Sequence, residues 1–298
     1  MPRTFSHVDG KLAEAEFFLK EIKGCDHDFF AIRCFVSAFS SSARSVTFAL
    51  QSCLTGVAGF EEWYKARQKA LRDNKLARFF HEFRRINEHV GDNLVAGGRT
   101  VPGQEPKHWF LPSEDVPWVP DEDVATACHT YFLMVLSLVF DCYVDFGPEV
   151  DAQQRYTPEY FQTIGKTIED AEEELGYPRG WTNIGKPELD AYRWELLRRR
   201  TPGCEINGLF EAYLGETTPC PEPLPQLELR AEDGWCDWPT GGKVWIPPEW
   251  RKTGDVVKDY DAYLDAAKRP GHNQTVQWTG AAGSMSVVFD DPESGPRH

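Results

Sequence analysis

Four consecutive segments between residues 8 and 90 carry apolar side chains at helical spacing, and a chain built this way can bury those faces only against each other. A helical bundle is the expected result. In residues 8–23, Leu12, Ala15, Phe18, Leu19 and Ile22 alternate with charges, and Gly24 is placed to stop the helix. Residues 29–52, FFAIRCFVSAFSSSARSVTFALQS, hold apolar side chains too often for one exposed face, so this stretch is expected to be the central helix. After TGVAG, a third helix from Phe60 to about Leu71 puts acids first and bases last, matching the helix dipole. A turn at Asp73-Asn74 leads into KLARFFHEFRRINEHV, with Gly91 where a left-handed C-terminal cap belongs.

Residues 91–120, rich in Gly and Pro, read as a surface loop, and a fifth helix follows over about 121–145. Its longest apolar run, Tyr131 to Phe140, is far short of the roughly 20 residues of a membrane span, so a core helix and no membrane contact are expected. Residues 157–176 and 187–200 look helical, the latter starting at Pro187. From Thr201 onward lie 11 of the 21 prolines and five of the ten tryptophans, so extended chain should replace helix, with LPQLELR, KVWIPP and TVQWTG as short strands. The expected fold is therefore mainly α. A helical bundle (1–150) carries a helical annex packed on it (151–200), then an acidic, irregular Pro/Gly/Trp-rich region with a little β (201–298), whose last ten residues are expected to be disordered.

Charge is unevenly placed. Residues 1–100 hold 15 Lys/Arg against 12 Asp/Glu (+3), and residues 101–298 hold 17 against 35 (−18). A chain of net charge −15 cannot hold nucleic acid over a wide surface, because affinity comes largely from neutralised phosphates, so any such contact must be local. The N-terminus lacks the basic start and apolar block of a secretory signal, and Cys25, Cys34, Cys53, Cys128 and Cys142 sit in apolar helical patterns as buried thiols do. A cytoplasmic protein is expected. Cys204, Cys220 and Cys236 are widely spaced with no histidine beside them, so no metal and no cofactor are expected.

The fourth helix carries the chemistry. On a wheel of 100° per residue, Leu76, Phe79, Phe80, Phe83, Ile86 and Val90 fall within about 60° of one direction. His81, Arg85, Glu88 and His89 lie opposite, with Arg84 on one flank. The stretch FRRINEHVG resembles the motif of the HEPN superfamily, an arginine followed after four to six residues by a histidine near the end of a bundle helix; Arg84 and His89 match it with four residues between. The order of elements, with a long second helix, the motif helix and then a strongly apolar one, is similar to HEPN proteins over about residues 8–147. Two positions depart from the family. Arg85 stands where many members have Asn, Asp or His, and Gly91 replaces a tyrosine of some toxin members, so modification at such a tyrosine is not expected.

The resemblance implies a HEPN-like, metal-independent endoribonuclease of a toxin or defence type, working as a homodimer whose two motifs face each other. Attack of an RNA 2′-hydroxyl on the adjacent phosphate needs a group that titrates near neutrality and a cation for the phosphorane, which histidine and arginine supply. Arg84 and His89 would be catalytic, and Arg85, Arg44 and Glu88 would bind substrate. An antitoxin or regulatory partner is implied as well. The alternative is a catalytically inactive HEPN-like binding or scaffold protein, which the net charge favours. Among other candidates, Ser40, Ser41 and Ser42 read as close-packing residues, His129 as a core histidine, Glu169, Asp170, Glu172, Glu173 and Glu174 as a solvated run, and Trp235, Trp238, Trp245 and Trp250 as anchors of the tail on the bundle.

Overall fold

In a computed structural model, the described residues are 3–25, 28–99, 107–182, 190–225, 235–240, 243–267, 274–280 and 283–289. In chain order the elements are α1 (Ser6–Gly24), α2 (Phe29–Leu54), α3 (Phe60–Asp73), α4 (Lys75–His89), β1 (Val95–Arg99), β2 (Lys107–Phe110), α5 (Val124–Asp145) and α6 (Gly147–Val150). They continue with α7 (Ala152–Arg155), α8 (Pro158–Thr163), α9 (Ile168–Glu174), α10 (Asp190–Arg198), α11 (Asn207–Leu214), β3 (Trp235–Asp237), β4 (Lys243–Trp245), α12 (Val256–Ala267), β5 (Gln274–Gly280) and β6 (Gly283–Phe289). The chain is mainly helical with little strand. It divides into one unit made of Pro2–Asp151 and Gly203–Pro219 and another made of Ala152–Pro202 and Cys220–His298.

The first unit is a helical bundle. Side chains that reach back to backbone N–H groups start α2, α4 and α5: Asp28 accepts from Ala31 N (2.9 Å), Asn74 from Ala77 N (3.0 Å) and Asp123 from Thr126 N (3.2 Å). At the other end of α4, Gly91 adopts φ +81° and its N–H reaches Ile86 O at 3.1 Å, the left-handed cap the sequence calls for. The core is aromatic at its centre, where the Phe80 ring stacks on Tyr131 with centroids 4.5 Å apart and Phe39 meets both edge-on. α11 closes the unit, burying Phe210 against Phe140 and Tyr143 of α5.

The expectation drawn from Tyr131–Phe140 understates α5. At 22 residues with mean hydropathy 1.5 over an 18-residue window, this helix is long and apolar enough to cross a membrane by length and composition. Its packing is that of a core helix, since Val124, Ala127, Cys128, Phe132, Leu136, Val139 and Cys142 are fully enclosed in the bundle. Val90 also departs from expectation: it lies one residue past the end of α4 and is 62 % exposed, because the helix stops before that position can turn inward.

Residues 91–120 are not wholly loop. β1 and β2 pair antiparallel, with Val95 opposite Phe110, and a bulge at Gly97 (φ +57°) resets the register so that Gly98 faces His108. A Cβ on Gly98 would lie 3.0 Å from the His108 ring, so this close approach needs glycine. The ribbon carries Phe110 into the core, 4.7 Å from Phe79 and 5.7 Å from Phe83.

The second unit has a small core of Tyr156, Phe161, Trp194 and Leu197. The helix expected over 157–176 is two helices, α8 and α9, broken at Gly165 (φ +67°) and restarted by a capping box between Thr167 and Asp170. Pro187, expected to open a helix, lies outside the described residues. Extended chain from Thr201 onward is also only part of the outcome. α11 and α12 are helical because their sequences, NGLFEAYL and VVKDYDAYLDAA, hold no proline, the prolines being concentrated between and beyond them. β3, β4, β5 and β6 form one antiparallel sheet in sequence order. Trp238, Trp245 and Trp250 pack on Tyr260 and Tyr263 of α12 in this same unit, where they were expected to anchor the tail on the bundle. The disordered tail expected over the last ten residues falls outside the described residues but for Phe289, which ends β6.

Candidate functional site

α4 sets the geometry of the site. Leu76, Ala77, Phe79, Phe80, Phe83 and Ile86 enter the core, which fixes the rotation of the helix and leaves the motif residues on its flanks. Arg84 lies on the side of α2. Its Nη2 meets Glu88 Oε2 at 2.8 Å, and the other Glu88 oxygen accepts from Ser41 Oγ of α2 at 2.9 Å. Arg84 Nε is buried and has no hydrogen-bond partner among the described residues. The neighbouring Asn87 carboxamide accepts from Ser37 Oγ, so the seam between α2 and α4 is polar at this end.

Arg85 is exposed and donates from Nε to Glu82 Oε2 at 2.7 Å; that hydrogen bond and the charge of Glu82 raise its pKa further. His89 is the last residue of α4, exposed to solvent, and no hydrogen bond or ion pair ties it to the described residues. Five positions along a helix turn a side chain by about 140°, whereas four turn it by about 40°, so His89 shares its stripe with Arg85 more closely than with Arg84.

Of the five residues singled out in the sequence, the structure brings Arg84 and Glu88 into contact and leaves His89 and Arg85 on the adjoining surface. Arg44 is elsewhere. It donates from Nη1 to Thr47 Oγ1 at 2.6 Å, lies over the Phe48 ring at 4.3 Å, and lines a cavity between α2, α3 and α4 that includes none of the other four. Arg72, Arg78 and His81 line the same cavity, a grouping that sequence reading missed. The available signal was the lack of any acid three or four residues from Arg44 or Arg72, since arginines on helices ordinarily find one there.

The other candidates resolve in different ways. Ser41 contacts Glu88, so it belongs to the polar seam as well as to close packing. His129 is half-buried, 6.0 Å from the Tyr213 ring, and burial followed by the nearby Lys23 charge lowers its pKa. The carboxylate run of α9 is not merely solvated. Glu172 is fully buried and accepts from Gly180 N, Thr182 N and Thr182 Oγ1, while Glu169 binds Arg193 at 3.0 Å and Glu174 binds Arg155 at 2.6 Å. The spacing of that run said nothing of the three arginine- and amide-bearing segments that fold over it. No disulfide joins the eight cysteines; Cys128 and Cys142 are buried, but Cys34 is exposed.

A family model described as bacteriophage lambda protein ea47 matches residues 4–96. That segment runs from the start of α1 past the end of α4, so it includes Arg84, Arg85, Glu88 and His89. No curated protein matches the chain, and no solved structure does.

Proposed function

We propose that this chain is a HEPN-like, metal-independent endoribonuclease that works as a homodimer in the cytoplasm, in a phage-related toxin or defence role. The observation that carries this reading is His89, solvent-exposed at the end of α4 with no partner among the described residues, about one turn past Arg85 and five residues past Arg84. A two-fold axis near this end of α4 would place two such sets across one groove. There the 2′-oxygen of RNA attacks the adjacent phosphorus and the P–O5′ bond breaks, leaving a 2′,3′-cyclic phosphate and a 5′-hydroxyl. One imidazole takes the 2′-hydroxyl proton and another returns a proton to the 5′-oxygen, while the arginines offset the phosphorane charge. The groove must stay open to solvent or RNA, since closing the arginines together without an anion would be costly. A protein partner that covers the groove would act as the antitoxin.

Cross-linking tests the dimer. In a background with exposed Cys34 and Cys220 replaced by serine, His89→Cys should give an oxidation-dependent covalent dimer, whereas the same substitution at exposed Lys20 should not. A chain that stays monomeric at concentrations well above those of the cleavage assay would remove the composite groove.

A second reading has its own support. Arg84 is neutralised by Glu88 and Arg85 by Glu82, both within α4. Together with the net charge of −15, this favours a HEPN-like module that binds RNA or a protein and cleaves nothing. RNA retained by the dimer but recovered intact under all conditions is the outcome that selects it.

A further inference from the structure

The cavity between α2, α3 and α4 has a volume of about 410 Å3, within the range of small-molecule sites. Three of its lining residues are arginines, Arg44, Arg72 and Arg78, and the sole carboxylate among the described lining residues is Glu82. Glu82 is already engaged by Arg85 at 2.7 Å. None of the three arginines forms an ion pair with a described residue. Three other arginines of the same unit do: Arg67 with Asp141 at 2.9 Å, Arg84 with Glu88 and Arg85 with Glu82. In a chain with 47 acids and 32 bases, three guanidiniums around one cavity with a single described carboxylate, itself held by Arg85, is a local reversal of the overall charge.

The chemistry of the lining narrows the ligand. Arg44 is held in place by Thr47 and by the Phe48 ring, and its buried Nε has no hydrogen-bond partner among the described residues. A partly buried guanidinium is stabilised by an anion, and its planar fork matches phosphate oxygens. Tyr131 adds a hydroxyl at the cavity wall that no described group engages; burial pushes its pKa up to about 12, so it remains a donor at neutral pH. Leu71 and Ala77 supply an apolar stretch of wall, which suits an organic ligand better than a bare ion.

We propose that this cavity is a binding site for a phosphate monoester of roughly sugar-phosphate size, either a free metabolite or the terminal phosphate of an oligonucleotide. It is a site separate from Arg84 and His89 and does not depend on whether the chain cleaves RNA.

Calorimetric titration of the full chain tests this with five probes: ribose 5-phosphate, ribose, inorganic phosphate, and a tetranucleotide with and without a 5′-phosphate. The phosphorylated probes should bind, ribose should not, and inorganic phosphate should bind more weakly than the preferred ester. Arg72→Gln and Arg78→Gln should each weaken binding at least about tenfold. Both positions are exposed, so these variants keep the test valid even if Arg44→Lys, which should also weaken binding, impairs folding. Binding of the phosphorylated tetranucleotide without ribose 5-phosphate assigns the ligand to a chain end; the reverse assigns it to a free metabolite. The proposal is overturned if no phosphate ester binds at millimolar concentration, if the unphosphorylated tetranucleotide binds as well as its twin, or if both exposed-arginine variants bind like the parent.

Discussion

Arg84 and Glu88, one turn apart on α4, form a 2.8 Å ion pair that neutralises the guanidinium proposed to meet the scissile phosphate. Each side chain is about one-third exposed, so the pair contributes less than about 1 kcal/mol to stability. Its effect on function should be larger. Glu88→Gln keeps an acceptor for Ser41 but removes the charge, which frees Arg84 for phosphate. RNA affinity measured by filter binding should rise by several-fold with little change in thermal midpoint. An unchanged or lower affinity would mean that Glu88 positions Arg84 and does not hold it back.

Asp9 gives the bundle a pH-dependent weakness. It is 6 % exposed, its Oδ2 accepts from Tyr143 Oη at 2.8 Å, and burial, only partly countered by that hydrogen bond, raises its pKa from 3.8 to about 7. A carboxyl that holds its proton more tightly when folded gives stability that is complete below pH 4 and is lost as pH rises to about 7. The loss has an upper limit of roughly 4 kcal/mol. Asp9→Asn, which cannot ionise, should flatten this part of the profile and leave the variant more stable than the parent at pH 8. Parallel urea-denaturation profiles for the two proteins from pH 4 to 8 would contradict the assignment.

Phe80 sits where α2, α4, α5 and β2 meet, stacked on Tyr131 and edge-on to Phe39, Phe79 and Phe110. Truncation there leaves a large hole in a rigid aromatic cluster. Phe80→Ala should cost about 3–5 kcal/mol of bundle stability in chemical denaturation. A loss under about 1 kcal/mol would show that the cluster does not pack as described.

Glu172 anchors the second unit. Its fully buried carboxylate is held by the amides of Gly180 and Thr182, with Arg193 3.6 Å away. Glu172→Ala would leave two amides unpaired and take one carboxylate from Arg193, which keeps Glu169 at 3.0 Å, costing about 2–5 kcal/mol. Limited proteolysis should then cut between residues 175 and 200 first. Resistance equal to that of the parent chain would contradict the role given to this carboxylate.

The helices of the bundle were legible because each carries its period, its cap and its stop in local sequence: Asn74, the Phe79–Phe80–Phe83 face and Gly91 define α4 without reference to the rest of the chain. β1 and β2 were not, since Val95 and Phe110 become a strand pair only when the core offers Phe79 and Phe83 a partner. The same limit hid the buried role of Glu172, whose ligands lie up to 21 residues away in Arg193. Within the site, spacing revealed that Arg84, Arg85 and His89 share the outer part of one helix. It did not show that Glu82 and Glu88 take up both arginines, nor that Arg44 joins Arg72 and Arg78 around a different cavity.

Cleavage of RNA in the presence of a chelator tests the chemistry proposed at Arg84 and His89 most directly. Purified protein incubated with mixed RNA and excess EDTA should give fragments ending in 2′,3′-cyclic phosphate. Arg84→Ala and His89→Ala should each lower the rate by about a hundredfold or more while leaving the thermal midpoint nearly unchanged. Intact RNA under these conditions, or cleavage that both variants retain, would contradict the account.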